Sequence, residues 1–142
     1  MEQEIMLIVR DSHIADGKKD GYEITTKGHF SGDENDYTLE YDEMIEEFKG
    51  CRTTVRVTDG KYVCVTRHGH YNMDLTVEKG KRHDCLYVTP FGSCMMSVFG
   101  SKIESSVKDG EGSLIMNYAV DIYGDTASVT DLTFIFNRRK CS

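Results

Sequence analysis

Several features are scarce or missing in this chain, and each gap narrows the possibilities. There is no tryptophan and only one proline, Pro90, in 142 residues. The longest uninterrupted apolar run, Ile5–Val9, is far too short to cross a bilayer as a helix, so no membrane partner is expected. The start Met1-Glu2-Gln3-Glu4 lacks the basic region of a secretory leader. Five cysteines are present (Cys51, Cys64, Cys85, Cys94 and Cys141), an odd number without a C-x-x-C pair. Free thiols in a reducing cytoplasm are the expectation, with Cys64 and Cys85 acting as small buried hydrophobes inside strands. No G-x-S-x-G, phosphate-cradling glycine loop or H-E-x-x-H occurs, so neither an enzyme nor a cofactor is expected.

Positive charge is also in deficit. Twenty-four acidic residues against 17 basic ones leave a net charge of −7, a field that repels phosphate backbones and argues against nucleic-acid partners. The one dense basic stretch, Arg138-Arg139-Lys140, reads as a solubility feature. With 39% hydrophobic and 29% charged residues, the chain has enough apolar surface for one globular core, a single domain over residues 1–142.

What is abundant is alternation. Tyr22, Ile24, Thr26, Gly28 and Phe30 share one face of a strand, and Tyr37, Leu39 and Tyr41 share a face of the next. The same period groups Cys51 with Thr53, Val55 and Val57, Tyr71 with Met73, Leu75 and Val77, Leu114 with Met116, Tyr118, Val120 and Ile122, and Leu132 with Phe134 and Phe136. Asp59-Gly60, Lys79-Gly80, Asp109-Gly110, Gly124-Asp125 and the looser Ser31-Gly32-Asp33 punctuate these runs as turns, and Pro90 ends a strand without breaking a ladder. About eight to ten short strands in a meander leave two sticky edges unless the sheet closes, so the expected fold is an all-β, up-and-down antiparallel barrel, with an open sandwich as second choice. Residues 42–49 depart from the pattern: acidic residues open the stretch, Lys49 ends it, Gly50 follows. It is either a short helix capping a barrel end or an irregular link.

Residues 53–92 carry a resemblance. Strand, Asp59-Gly60, strand, Arg67-His68-Gly69, strand to Lys79-Gly80 and then Tyr87-Val88-Thr89-Pro90-Phe91-Gly92 is similar to the YwiB-like family of small bacterial proteins. The likeness continues through Ser113–Tyr123 and Asp131-Leu132-Thr133-Phe134. It implies a calycin-like barrel of the lipocalin or fatty-acid-binding type and implies no activity. Neither the His68-Gly69-His70 run nor the Met44–Lys49 stretch belongs to the resemblance.

Candidate site residues come from chemistry. Arg67 continues the face of Val63 and Val65, so an inward face would carry its guanidinium to the barrel interior or mouth, where it needs a carboxylate of the protein or an anionic group of a ligand. Tyr41, Tyr71 and Tyr118 lie on apolar faces and would add hydroxyls to the lining, although β-propensity and packing account for tyrosine in strands equally well. His68 and His70 share a face if the strand continues, and with His83 or Asp84 they form a weak metal candidate. Exposed histidines beside a turn are the simpler explanation. Two functions follow: a noncatalytic barrel holding a small amphipathic or anionic ligand, or a packed barrel acting through its outer surface or Met44–Phe48, as a monomer or homodimer.

Overall fold

The computed structural model describes residues 2–122 and 125–138. Cys141, Arg139, Lys140, Tyr123 and the Gly124 of the Gly124-Asp125 turn lie outside the described residues. Ten strands follow in chain order: β1 (Glu2–Ala15), β2 (Lys18–Gly32), β3 (Tyr37–Asp42), β4 (Arg52–Thr58), β5 (Tyr62–His68), β6 (Asn72–Glu78), β7 (Arg82–Thr89), β8 (Gly92–Lys108), β9 (Glu111–Ile122) and β10 (Asp125–Arg138). Each pairs antiparallel with the next, and β1 pairs with β10, so the meander closes into a barrel. The expected barrel is observed, and the sandwich is not.

The strands form where the alternation runs, and they stop where the backbone must turn back. Asp59-Gly60 and Asp109-Gly110 both take positive φ at each residue, the conformation of tight hairpin turns whose twist matches the strands. Asp16-Gly17, absent from the turns inferred above, does the same between β1 and β2. Of the two alternatives for the stretch after β3, the irregular link is observed. It contains one 3-10 turn, Glu46–Phe48, and it folds over one end of the barrel.

Two ends differ. At the end carrying the β2–β3, β4–β5 and β8–β9 connections, Phe30, Tyr37 and Phe136 stack with ring centroids 5.5 to 5.9 Å apart. The Tyr37 hydroxyl meets Ser105 Oγ at 2.7 Å, which satisfies a phenol inside this apolar floor. Ile5, Leu7, Leu39, Val57, Val63 and Leu114 fill the gaps between the rings and are fully buried. Cys85 is buried as anticipated, whereas Cys64 belongs to the outward row of β5 and is only half-buried, its thiol 3.6 Å from Thr76 Oγ1.

Closure of the wall depends on Gly100 of β8, beside a bulge. A Cβ there would stand 2.6 Å from the Glu78 carbonyl oxygen and 2.8 Å from its carbon, both backbone atoms that cannot swing aside. Gly100→Ala is expected to destabilise the barrel by roughly 1–3 kcal/mol, read from the shift of the urea unfolding midpoint. Gly17→Ala meets no neighbour and serves as the comparison for backbone strain alone.

Candidate functional site

The opposite end of the barrel is hollow. A cavity of about 710 Å³ opens there, within the usual size for a small-molecule pocket. Its walls are mainly apolar: Met73 and Leu75 from β6, Met96 from β8, Val120 and Ile122 from β9, and Ile45 and Phe48 from the link. Tyr22, Tyr87, Tyr118, Thr130 and Arg67 supply polar groups, and Asp11, Asp20 and Glu47 stand toward the rim. The strand positions among these belong to the same inward rows that form the floor, continued past the point where large rings fill the interior.

Arg67 is the polar centre of this wall. Its Nη2 lies 3.4 Å from Glu43 Oε2, and its guanidinium carbon lies 3.9 Å from the centroid of the Phe48 ring. Glu43 is almost fully buried and also accepts a 2.5 Å hydrogen bond from the Thr53 hydroxyl. The structural pairing weighed for Arg67 is therefore present, with a partner that sequence reasoning did not name. It leaves Arg67 Nε buried without a hydrogen-bond partner. A buried donor left unpaired costs free energy, so such a group in a cavity wall calls for an acceptor.

Of the other residues anticipated for the site, Tyr118 lines the cavity; Tyr41 and Tyr71 do not border it. Tyr41 lies deeper, packed on Phe134. Tyr71 sits behind the link, with its ring edge-on to Phe48 at 5.0 Å. Sequence reasoning missed Asp11, His13 and Asp20 as cavity residues. The signal was available, since Asp11 and His13 simply continue the inward row of Ile5, Leu7 and Val9.

His68 and His70 do not act together. His68 is exposed at the end of β5, and the chain breaks strand geometry at Gly69, with φ of 149°. The His70 Nε2–H donates to the Glu47 carbonyl at 3.0 Å, which leaves Nδ1 as the acceptor for the Cys51 thiol at 3.5 Å. His70 thus ties the β5–β6 turn to the link. His83 is engaged elsewhere, with Glu78, and among the described residues no three His, Cys, Asp or Glu side chains converge as metal ligands. Cys51 and His70 have the outline of a nucleophile and base, but the cysteine is 1% exposed and outside the cavity.

Acidic groups predominate at the mouth. Asp11, Asp20 and Glu47 outnumber Arg67 and His13, Arg67 is matched by Glu43, and His13 Nδ1 is 2.8 Å from Asp11 Oδ1. Burial raises the pKa of the Tyr22 and Tyr118 phenols above their ordinary value, with nearby Asp11 adding to it, and burial likewise raises Tyr41 and Tyr87. These hydroxyls stay protonated through the physiological range and remain donors. A phenol whose pKa is raised by folding contributes stability below the unfolded value of about 10 and loses it as pH climbs toward the folded one. Wild-type protein should therefore weaken steeply above about pH 10. Tyr118→Phe should lose less between pH 8 and pH 11, compared by urea midpoints at the two pH values.

Residues 8–134 match the family described as Domain of unknown function (DUF1934). Among solved structures, the crystal structure of the ywiB protein from Bacillus subtilis superposes with a TM-score of 0.85 at 23% identity, covering 98% of this chain and 94% of that one. That likeness establishes the barrel fold. No curated protein matches the sequence. No helix among the described residues is long and apolar enough to cross a membrane.

Proposed function

We propose, for a chain that belongs to the family described as Domain of unknown function (DUF1934), that its barrel is a noncatalytic binding module for a small amphipathic molecule. The observation that carries this is the pairing of the cavity of about 710 Å³ with a buried, unpartnered Arg67 Nε in its wall. The ligand would lay its apolar body against Met73, Leu75, Met96 and Val120 and offer a carbonyl, ether or hydroxyl oxygen to Arg67. A neutral amphipath fits better than an anionic one, because Glu43 already balances Arg67 and the rim is acidic. Cys51, Cys64, Cys85 and Cys94 are all free thiols, in keeping with work in a reducing cytoplasm.

Native mass spectrometry of protein purified without added ligand, set against the denatured mass, is the direct test. A small molecule lost on denaturation supports the proposal, and its identity follows from its mass. In parallel, the neutral dye Nile red should bind saturably at one site. Arg67→Met should weaken that binding by about tenfold, the equivalent of one hydrogen bond from a charged donor. Unchanged affinity in the variant counts against Arg67 as the recognition group.

A second role has its own observation. Phe91 is 91% exposed at the tip of the β7–β8 hairpin, with Leu86 opposite Met95 and Val88 close by, all on the outer face. This cluster is an exposed apolar surface available for self-association, and Met44 of the Met44–Phe48 stretch is exposed as well. Phe48 itself turns inward onto Arg67. If copies pair through it, sedimentation velocity should show a concentration-dependent dimer that Phe91→Asp abolishes. A strict monomer at every concentration removes this role.

A further inference from the structure

The barrel wall is not bonded all the way round. β6 and β7 form a hairpin in which Asn72 pairs with Val88 and Met73 with Tyr87. The same register would place Asp74 opposite Leu86, Leu75 opposite Cys85, Thr76 opposite Asp84, Val77 opposite His83 and Glu78 opposite Arg82. None of these is a ladder pair. The flanking ladders are continuous, with β5–β6 paired from Tyr62↔Glu78 to Arg67↔Met73 and β7–β8 from Arg82↔Phe99 to Thr89↔Gly92. At its far end the hairpin leaves its own axis and docks on β8, where the Gly80 N–H donates to the Gly100 carbonyl at 2.8 Å and Lys79 bridges Gly100. The result is a seam with ladder pairs at one end, the Gly80–Gly100 contact at the other, and side-chain bonds alone between them, the Cys85 thiol to the Asp74 backbone included.

Side chains occupy that seam. His83 belongs to the inward row of β7, opposite the buried Val98, yet its Nε2 stands 3.0 Å from Oε1 of Glu78, a residue of the outward row of β6. An inward-row ring reaches an outward-row carboxylate only by crossing the gap between the two strands. Tyr62 packs edge-on to the same ring at 6.0 Å, and Lys81 Nζ lies 3.3 Å from Glu78 Oε2. Leu75 of β6 lines the cavity beside the seam, next to Met73 and Tyr87, the last bonded pair, which line it too. The mouth, by contrast, is crossed by the link, which Phe48, Arg67, Tyr71 and His70 hold in place.

From this geometry we infer that ligand reaches the cavity laterally, by parting β6 from β7, with the His83–Glu78 contact as the latch. The inference rests on the binding role proposed above. Opening here breaks no ladder hydrogen bond along the middle of the hairpin, whereas opening any neighbouring pair of strands breaks a full ladder. Hydrogen bonding of His83 first, and then Lys81, holds the Glu78 carboxyl below its ordinary pKa, so Glu78 is an ionised acceptor at neutral pH.

Stopped-flow uptake of Nile red tests the route. His83→Ala should speed uptake by about fivefold, the rate equivalent of one hydrogen bond, while leaving the equilibrium affinity nearly unchanged. A disulfide between Asp74→Cys and Leu86→Cys, opposite positions next to the last bonded pair, should slow uptake, and reduction should restore it. Hydrogen exchange on the unmodified protein gives a check that needs no variant. The seam-facing amides of residues 74–78 and 82–86 should exchange faster than those in the β4–β5 ladder. Saturable dye binding with rates indifferent to both changes overturns the lateral route alone, as does acceleration by Phe48→Ala but not by His83→Ala. Absence of saturable binding overturns the binding role and the route with it.

Discussion

Everything in this molecule follows from how ten strands share one interior. A barrel's diameter grows with its strand number, so ten strands enclose more space than aliphatic side chains fill. The chain meets that constraint unevenly. It gathers Phe30, Tyr37 and Phe136 at one end, where their stacked rings close the interior. Toward the other end the inward rows continue with methionine, tyrosine and single charged residues, and the interior stays open. Stability comes from the filled half, which frees the hollow half to carry chemistry.

The charged groups of the hollow half are organised by one burial. Glu43 sits where β3 gives way to the link, and its carboxylate faces Arg67 from β5 and Thr53 from β4. Two ions removed from water hold each other in place only when geometry and further hydrogen bonds compensate the lost hydration. Here the compensation also positions the link, because Phe48 lies on the guanidinium and the Glu43 N–H donates to the Cys51 carbonyl. The pair therefore sets where the mouth is and which edge of Arg67 remains unpaired.

Much of this was legible in the sequence, and the part that was not has physical reasons. Alternation put Tyr22, Tyr118, Leu114 and Phe136 on the inward face because a strand has a period of two whatever its neighbours do. It could also have revealed Asp11 and His13, whose polarity hides that they continue the row of Ile5, Leu7 and Val9. Glu43 likewise continues the row of Tyr37, Leu39 and Tyr41, but its pairing with Arg67, 24 residues away, follows from the packing of β3 against β4 and β5 and not from any period. Tyr41 and Tyr71 have the right parity but the wrong height along the barrel, which depends on strand stagger rather than on sequence period. The seam is equally silent: Lys79-Gly80 reads as an ordinary hairpin turn, and only Gly100, far away in β8, permits the detour that unzips it.

The closing ladder has one more consequence. β1 pairs on both sides, with β2 and with β10, and its partnership with β10 joins Ile5 to Arg138 from opposite ends of the chain. During synthesis β1 leaves the ribosome well before β10 and must wait for it before its second edge is covered. Contacts so distant in sequence make folding slow and leave a strand edge open to other nascent chains in the interval. Charged outward residues of β1 and β2, Arg10 bonded to Glu23 and Lys27 opposite Met6, lie along the strand that is exposed during that wait.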